Sequence, residues 1–427
     1  MGLASIARNP YTVGGPVRGP NFYGRAALIS TILEGNDRAI WVIGNRRTGK
    51  TSLLRRLEEL GNTDGHVAFH ISLEACDTLQ DLAQCFVDDL DDGDDRLAHL
   101  GLAAADLQGR ATHTIMRMLD RRAHERGIEV LLLLDEAEAL IGIVEREGDD
   151  VLKELRREMQ RSEALRVVMT ATKRLAALND LCRSWDTSPF LYGIIPRYMG
   201  RLERDDTLAL VRQTQAPASL AVEAAIAEAI LEATDGHPFL TQWLCDRLWS
   251  EQGLRAPTPD DLIPDENLIS LFQLDYNCLA PIERRILRCL SYVESLDEAG
   301  LLAEPGIAIA ETQLRYLVRS LTQLCYIRRI NDRYSTGNRL LRNWLQFWAV
   351  DEPAPPMSDA AAVNQADEEQ QRIIALVTAH KRRLRALEQQ QALKGNDAPP
   401  DITIEIEDIN ARIAQLNGDL AQLRTHG

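Results

Sequence analysis

Two short segments of the chain combine residue types that can hold phosphate groups and a divalent cation. The first is GNRRTGKT at residues 44–51, which fits the pattern G-x-x-x-x-G-K-[ST] between an apolar run and the helical pattern SLLRRLEEL. Glycines in such a loop let backbone N–H groups close around phosphate oxygens, and the helix N-terminus adds partial positive charge. The predicted phosphate-binding loop consists of Gly44, Asn45, Arg46, Arg47, Thr48, Gly49, Lys50, Thr51 and Ser52.

Two side chains of this predicted loop have distinct tasks. Lys50 carries a positive charge that can bridge the β- and γ-phosphates of ATP, and the hydroxyl group of Thr51 is a ligand for Mg²⁺. Arg46 and Arg47 either add charge near the phosphates or are simply solvated. The expected cofactors are therefore ATP or ADP together with Mg²⁺.

The second segment is VLLLLDE at residues 130–136. A strand that is apolar throughout is typical of the centre of a parallel sheet, where both faces are buried. Asp135 at its end is predicted to hold the Mg²⁺ ion, and Glu136 is predicted to act as the general base on the attacking water. Because a glutamate follows the aspartate directly and no N-K-x-D motif is present, we predict hydrolysis of ATP rather than GTP. Glu136, Lys50 and Asp135 are thus the predicted catalytic residues.

A further polar cluster follows the predicted strand at residues 166–170. Thr170 or Thr172 can sense the γ-phosphate from this strand end, with charge added by Lys173 or Arg174. The alternative for each of these residues is a strand that simply enters a polar turn.

The first 200 residues alternate short apolar runs with amphipathic stretches, which predicts an α/β fold with a parallel sheet. Together with the loop at 44–51 and the Asp-Glu pair at 135–136, this fold resembles a P-loop sheet of the ASCE type. The predicted strands cover residues 39–43, 67–72, 130–134, 166–170 and 190–195. An acidic run at residues 88–95 lacks the glycine and distal glutamate of an EF-hand, so we interpret it as a solvated loop rather than a calcium site.

Beyond residue 200 the patterns are mostly helical. The third predicted domain contains helices followed by two short strands around Asn331-Asp332, an arrangement typical of a winged helix. After a Pro-rich linker, two apolar stripes with 4-3-4-3 spacing predict an antiparallel coiled-coil hairpin. The predicted domains are the P-loop ATPase domain (1–200), a helical lid (201–255), the winged-helix domain (256–350), the linker (351–366) and the hairpin (367–427).

Composition restricts the partners of the chain. Its 48 Lys and Arg residues against 64 Asp and Glu residues give a net charge of −16, which repels nucleic acid and anionic membranes. No apolar run is long enough to span a membrane and no secretory signal is visible, so we expect a cytoplasmic protein. The seven cysteines show no zinc-ligand spacing. DNA binding stays an alternative, because a basic face could be formed by Arg315, Arg319, Arg328 and Arg329.

The order of these motifs is similar to that of STAND-type ATPases, signal-transduction ATPases of the AAA+-like branch, especially their archaeal-ATPase-like group. The segments NPY (9–11), PV (16–17) and FYGR (22–25) resemble the N-terminal adenine-side motif of that group, although Ala26 stands where an acid is common. GHP at 236–238 resembles the G-x-P motif of its lid; the alternative is a plain helix–helix turn. The resemblance implies nucleotide contacts for Tyr11, Val17, Phe22, Arg25 and Pro238.

The resemblance also implies a function: a switch in which ADP holds a closed monomer, ATP permits oligomerisation and slow hydrolysis acts as a timer, in bacterial signalling or defence. The C-terminal hairpin resembles short coiled-coil tails of bacterial conflict-system proteins, which implies pairing with a partner effector or with itself; a hairpin that only caps the fold is the alternative. Two other functions stay open. One is a DNA-associated ATPase resembling origin-recognition or transposition ATPases, and the other is a chain that holds nucleotide only as a structural ligand.

Overall fold

The computed structural model describes residues 9–349, apart from residues 64, 92–94, 184, 187 and 217–218. The chain divides into two compact units, Met1–Pro353 and Ala354–Gly427, and everything below belongs to the first. The predicted linker and coiled-coil hairpin lie outside the described residues. Among the described helices, none combines the length and the apolar character needed to cross a membrane.

A five-stranded parallel sheet forms the centre of the N-terminal part, which we call the sheet domain (residues 9–200). Its strand order is β2-β3-β4-β1-β5, and every residue of β1, β3 and β4 is buried. Because the strands are parallel, the loops that follow β1, β3 and β4 meet at one edge of the sheet. The strands are β1 (Ala39–Ile43), β2 (Val67–Ser72), β3 (Val130–Asp135), β4 (Leu165–Ala171) and β5 (Ile195–Tyr198).

Helices cover both faces of the sheet, as a parallel sheet requires. Apolar residues of α1 and α2 pack on one face, against the side chains of Ile40, Val42 and Leu133. The larger core lies on the opposite face, under α3, α6, α7 and α8. The helices are α1 (Ala26–Glu34), α2 (Lys50–Thr63), α3 (Leu79–Leu90), α4 (Arg96–His99), α5 (Ala104–Leu107), α6 (Thr112–Arg126), α7 (Ala139–Glu147), α8 (Asp150–Arg161) and α9 (Ala177–Leu181).

Strand β2 lies at the edge of the sheet, and side chains satisfy the N–H groups that point away from β3. An exposed row of such groups invites pairing with other chains, so capping them protects the edge. Asp89 is one of the capping residues, and it lies in α3; the acidic run predicted to be a loop is therefore helical up to Leu90. The N–H groups of Ala68, His70 and Ser72 donate to Asn62 Oδ1, Glu58 Oε1 and Asp89 Oδ2 at 2.9, 3.1 and 2.7 Å.

The fifth predicted strand is wrong in its position. The apolar run at residues 190–195 forms tight turns, with Tyr192 N donating to Pro189 O at 3.0 Å and Ile194 N to Leu191 O at 3.1 Å, and β5 begins only at Ile195. Phe190 is fully buried in the core all the same. An apolar run predicts that a segment is buried, but a buried turn fits such a run as well as a buried strand does.

The next part, which we call the helical domain (residues 201–255), contains three helices, in agreement with the helical patterns beyond residue 200. They pack against one another and are followed by a very short hairpin. The elements are α10 (Arg204–Val211), α11 (Ala224–Thr234), α12 (Pro238–Leu248), β6 (Trp249–Ser250) and β7 (Gly253–Leu254).

The third domain (residues 256–349) contains the predicted antiparallel hairpin. Asn331 and Asp332 form its turn with positive φ angles of 49° and 62°, as a two-residue hairpin of this kind requires. Helices α13, α15 and α17 were not predicted from the sequence. The elements are α13 (Glu266–Asn277), α14 (Pro281–Tyr292), α15 (Glu298–Ala303), α16 (Glu311–Gln323), β8 (Ile327–Ile330), β9 (Arg333–Thr336) and α17 (Arg339–Phe347).

Candidate active site

The loop between β1 and α2 has the closed shape of a phosphate-binding loop. Arg47 and Gly49 adopt positive φ angles of 60° and 93°, which turn the chain back toward the start of α2. The side chains of Thr48 and Lys50 both donate to the carbonyl oxygen of Asn45, at 2.8 and 3.2 Å. The loop thus surrounds a buried ammonium group at the first residue of α2, where the helix end adds positive charge.

Asp135, the last residue of β3, lies at the same edge of the sheet and is only 4% exposed. Its Oδ1 accepts hydrogen bonds from the Thr170 hydroxyl and from Glu136 N, the latter at 3.1 Å. Its Oδ2 lies 3.6 Å from His70 Nε2. Burial alone would raise the pKa of Asp135, but the nearby His70 ring and the hydroxyl groups of Thr170 and Thr51 lower it to about 2. The carboxyl group is therefore ionised at neutral pH.

These residues fit a magnesium ion. Mg²⁺ prefers oxygen ligands and is usually held by one or two protein groups together with the phosphates of a nucleotide. The Thr51 hydroxyl is close enough to Asp135 to lower its pKa through a hydrogen bond, so one hydroxyl and one ionised carboxylate face the same space beside the loop.

Glu136 follows in a left-handed backbone conformation, with φ at 51°. Such a conformation is strained for a residue other than glycine and is found at functional sites. Burial raises the pKa of Glu136, and the negative charges of Glu138 and Asp135 add to this effect against the opposing charge of Lys50. A higher pKa makes the carboxylate a better proton acceptor at neutral pH. Glu138 itself accepts a hydrogen bond from Thr172 N at 2.5 Å.

The polar residues after β4 separate into different tasks. Thr170 is fully buried and its hydroxyl group donates to Asp135, so its proton is not directed at a nucleotide. Thr172 Oγ1 accepts from Arg174 N at 3.3 Å, which leaves the hydroxyl proton of Thr172 available for a ligand. The two threonines therefore differ in whether the hydroxyl proton is already used, and a nucleotide role for either stays a prediction.

The N-terminal segment connects the loop with the helical domain. Val17 N donates to Ser52 Oγ at 3.0 Å, beside the start of α2. Nearer the N-terminus, Tyr11 OH donates to Val211 O at 2.6 Å, and the Tyr11 ring packs edge-on against Trp249. The segment quoted for its resemblance to an adenine-side motif thus lies across both domains, although its contacts with a base stay a prediction.

Arg25 and Pro238 lie near the junction of the sheet and helical domains. All the hydrogen bonds that the structure gives the Arg25 guanidinium go to backbone carbonyl groups of residues 199–201. Arg25 therefore fixes the chain between β5 and α10. Pro238 is the first residue of α12, and Gly236 before it approaches Leu202 so closely that a Cβ atom would lie 2.5 Å from the Leu202 carbonyl oxygen. Phe22 packs with α1 and α2.

The third domain contacts the phosphate-binding edge directly, which the sequence did not reveal. Asn45 Nδ2 donates to Leu324 O at 2.9 Å, and Arg46 NH1 donates to Asp275 Oδ1 at 3.1 Å. Beyond the end of β4, Lys173 forms an ion pair with Glu283. Burial raises the pKa of Asp275 to about 6 even though the charge of Arg46 opposes it. Arg46, for which solvation was one alternative, is thus engaged in an ion pair.

Comparison with known proteins agrees with this geometry. The family described as "AAA domain" matches residues 33–178, about a third of the chain, which include the phosphate-binding loop, Asp135 and Glu136. These residues are therefore similar to an AAA domain. No curated protein matches the chain.

Among solved structures, the Walker-type ATPase PABY2304 of Pyrococcus abyssi is similar with a TM-score of 0.57 and 18% identity, over 79% of this chain and 99% of that one. At this identity the likeness shows the fold. The ORC2 protein of Aeropyrum pernix has a TM-score of 0.41 at 13% identity, over 78% and 96% of the two chains. The RuvB Holliday junction branch migration motor of Thermotoga maritima has a TM-score of 0.32 at 15% identity, over 74% and 92%.

Proposed function

We propose that the chain is a STAND-like molecular switch that binds ATP with Mg²⁺, hydrolyses it slowly and changes its association with itself or with an effector protein. One observation carries this proposal: Asn45, Arg46 and Lys173, at the edge where phosphates would bind, also contact the third domain. A ligand shifts a conformational equilibrium only if it interacts differently with the two states. Phosphates that draw on the same side chains provide such a difference.

The site supplies the groups that hydrolysis needs. The backbone N–H groups of the loop and the Lys50 ammonium group bind and orient the phosphates, and Thr51 and Asp135 would hold Mg²⁺. The ion would neutralise charge on the transferred phosphoryl group. Glu136, with its raised pKa, accepts the proton of the attacking water. The hydroxyl group of Thr172 is available to donate to the γ-phosphate.

The third domain serves in this proposal as a winged-helix lever. Helices α14, α15 and α16 followed by the β8–β9 hairpin support this architecture, as does the bridge between Leu296 and Tyr334, which adds a third short strand-like contact. The DNA-associated alternative would need a free basic face. Arg315 instead pairs with Glu298 and Glu311, and Arg329 pairs with Asp332. These ion pairs weigh against DNA as the partner.

The experiment compares the assembly of the Glu136→Gln protein with ATP and with ADP. Loss of the base should slow hydrolysis by ~10²–10⁴-fold while nucleotide binding is kept, so that the ATP state persists long enough to be measured. We expect a larger mass by light scattering with ATP than with ADP. Glu145→Gln, at an exposed position of α7, is the matched control and should hydrolyse ATP as the wild type does.

Identical masses with ATP and ADP across micromolar concentrations, with or without a candidate partner, would contradict the switch. Hydrolysis of ATP by Glu136→Gln at the wild-type rate would instead contradict the assignment of the base, and Glu138 would then be tested.

A further inference from the structure

His70 lies in the interior beside Asp135 and has not been given a role. Its side chain is 4% exposed, and its Nε2 atom has no hydrogen-bond partner among the described residues. The atom that faces it is Oδ2 of Asp135, at 3.6 Å. A buried nitrogen without a partner is unfavourable and uncommon in native proteins, so this position calls for a physical explanation.

The backbone fixes where the imidazole ring of His70 lies. Strands β2 and β3 are paired so that Ser72 is opposite Asp135, which puts His70 two residues behind Ser72 and on the same face of the sheet as the Asp135 side chain. On the other side of β2, the N–H group of His70 donates to Glu58 Oε1. The backbone of His70 is therefore held from both sides of the strand, so that the ring starts from a fixed position on the same face as Asp135.

The two oxygen atoms of Asp135 are held unequally. Oδ1 accepts from the Thr170 hydroxyl and from Glu136 N. Oδ2 faces the ring of His70, and closing their distance by about 0.4 Å would bring the pair within hydrogen-bond range. A donor on each oxygen would restrain the rotation of the carboxylate about its Cβ–Cγ bond.

We propose that His70 is a positioning residue for the metal site: its Nε2–H donates to Asp135 Oδ2 and orients the carboxylate toward the cation shared with Thr51. Partners of this kind, one step behind a metal ligand, typically cost 10–100-fold in metal affinity when they are replaced. The inference rests on the nucleotide site of the proposed function and does not depend on the switch.

The test measures metal binding directly, with the full chain saturated by a non-hydrolysable ATP analogue. Binding of Mn²⁺, counted by the loss of its free EPR signal, is compared for the wild type, His70→Leu, which removes the donor, and His70→Gln, which keeps an N–H group near the position of Nε2. His66→Leu is the matched control, because His66 pairs with Glu129, well away from Asp135. Affinity for the nucleotide in EDTA is measured by calorimetry in parallel.

We expect His70→Leu to bind Mn²⁺ about 10–100-fold more weakly, with the affinity for nucleotide in EDTA unchanged and with recovery in His70→Gln. Wild-type affinity for Mn²⁺ in His70→Leu would overturn the proposal. An equal loss of Mn²⁺ affinity in His70→Leu and His70→Gln would also overturn it, and so would an equal loss of nucleotide affinity in EDTA, because both results indicate that His70 acts only through packing. If His70→Leu does not fold, His70→Met is judged by the same criteria. A wild-type chain that binds no nucleotide with or without the metal would contradict the site itself and not His70 alone.

Discussion

Replacing Arg46 by methionine removes the cation beside Asp275 and leaves a buried carboxyl group without its ion pair. Asp275 is 8% exposed on α13, and the Arg46 guanidinium lies 3.1 Å from its Oδ1. The carboxyl group can respond by taking up a proton, and the cost of that response depends on pH. We therefore expect Arg46→Met to destabilise the third domain strongly in alkaline solution and hardly at all in mild acid.

The size of the effect follows from the pKa of Asp275. Burial raises this pKa to about 6 in the folded wild type, against about 3.9 in an unfolded chain. A raised acid pKa favours the folded state at low pH, and that stability is lost as the pH rises from about 4 to 6. At ~1.4 kcal/mol per unit of pKa difference, ionisation of Asp275 lowers the free energy of unfolding of the wild type by ~3 kcal/mol at pH 8.

Without Arg46 the pKa of Asp275 rises further, so the cost at pH 8 can grow up to the ~6 kcal/mol needed to keep the group protonated there. The substitution therefore adds at most ~3 kcal/mol at pH 8. At pH 5.5 the group is already mostly protonated in both proteins, and the added cost should fall below ~0.5 kcal/mol.

Amide hydrogen exchange over α13 measures this locally, because the opening free energy of one helix is read from its own peptides. The nucleotide-free full chain is compared at pH 8.0 and pH 5.5 after correction for intrinsic exchange rates. Arg47→Met is the matched control: the Arg47 guanidinium lies over the Phe239 ring and does not contact Asp275. In an Asp275→Asn background, the effect of Arg46→Met should lose its pH dependence.

A loss that is the same at both pH values would refute the reasoning, because it would mean that packing or a neutral hydrogen bond, and not the buried charge, determines the effect of Arg46.

Two further predictions concern the nucleotide and the tail. Lys50→Ala should abolish tight binding of ATP and ADP in calorimetry, because it removes the positive charge that binds the β- and γ-phosphates. Unchanged affinity would contradict the assigned loop. Deletion of residues 352–427 should leave the affinity for nucleotide unchanged but abolish association with itself or a partner, as should Leu416→Glu combined with Leu420→Glu in the full chain. Loss of nucleotide binding in the truncated protein, or intact association in the double variant, would contradict a docking role for the tail.

The chemistry of the loop could be predicted because all its parts are neighbours in the chain. A strand, a glycine-containing turn and a helix N-terminus follow one another at residues 39–51, and each has a local signature. The four predicted strands from 39 to 170 agree with the structure to within one residue at each end, since long apolar runs between polar segments have few other interpretations.

Helices α13 and α17 also have a helical periodicity in their sequences. Leu268, Phe272 and Tyr276 recur every fourth residue and all are buried in α13, the periodicity of one helix face. Leu340, Leu341, Trp344 and Leu345 show the same for α17.

What only the tertiary structure decided is which side chains meet. Arg46 and Asp275 are 229 positions apart, and His70 reaches Asp135 only because β2 and β3 pair in one register. Thr170 and Thr172 looked equivalent in the sequence, and the hydrogen bond of Thr170 to Asp135 separates them. Periodicity tells which face of an element is buried, but the partner on the other side depends on how distant elements pack. The sequence by itself therefore predicted the loop and its neighbouring acids, and only the packing of the third domain decided which distant side chains meet them.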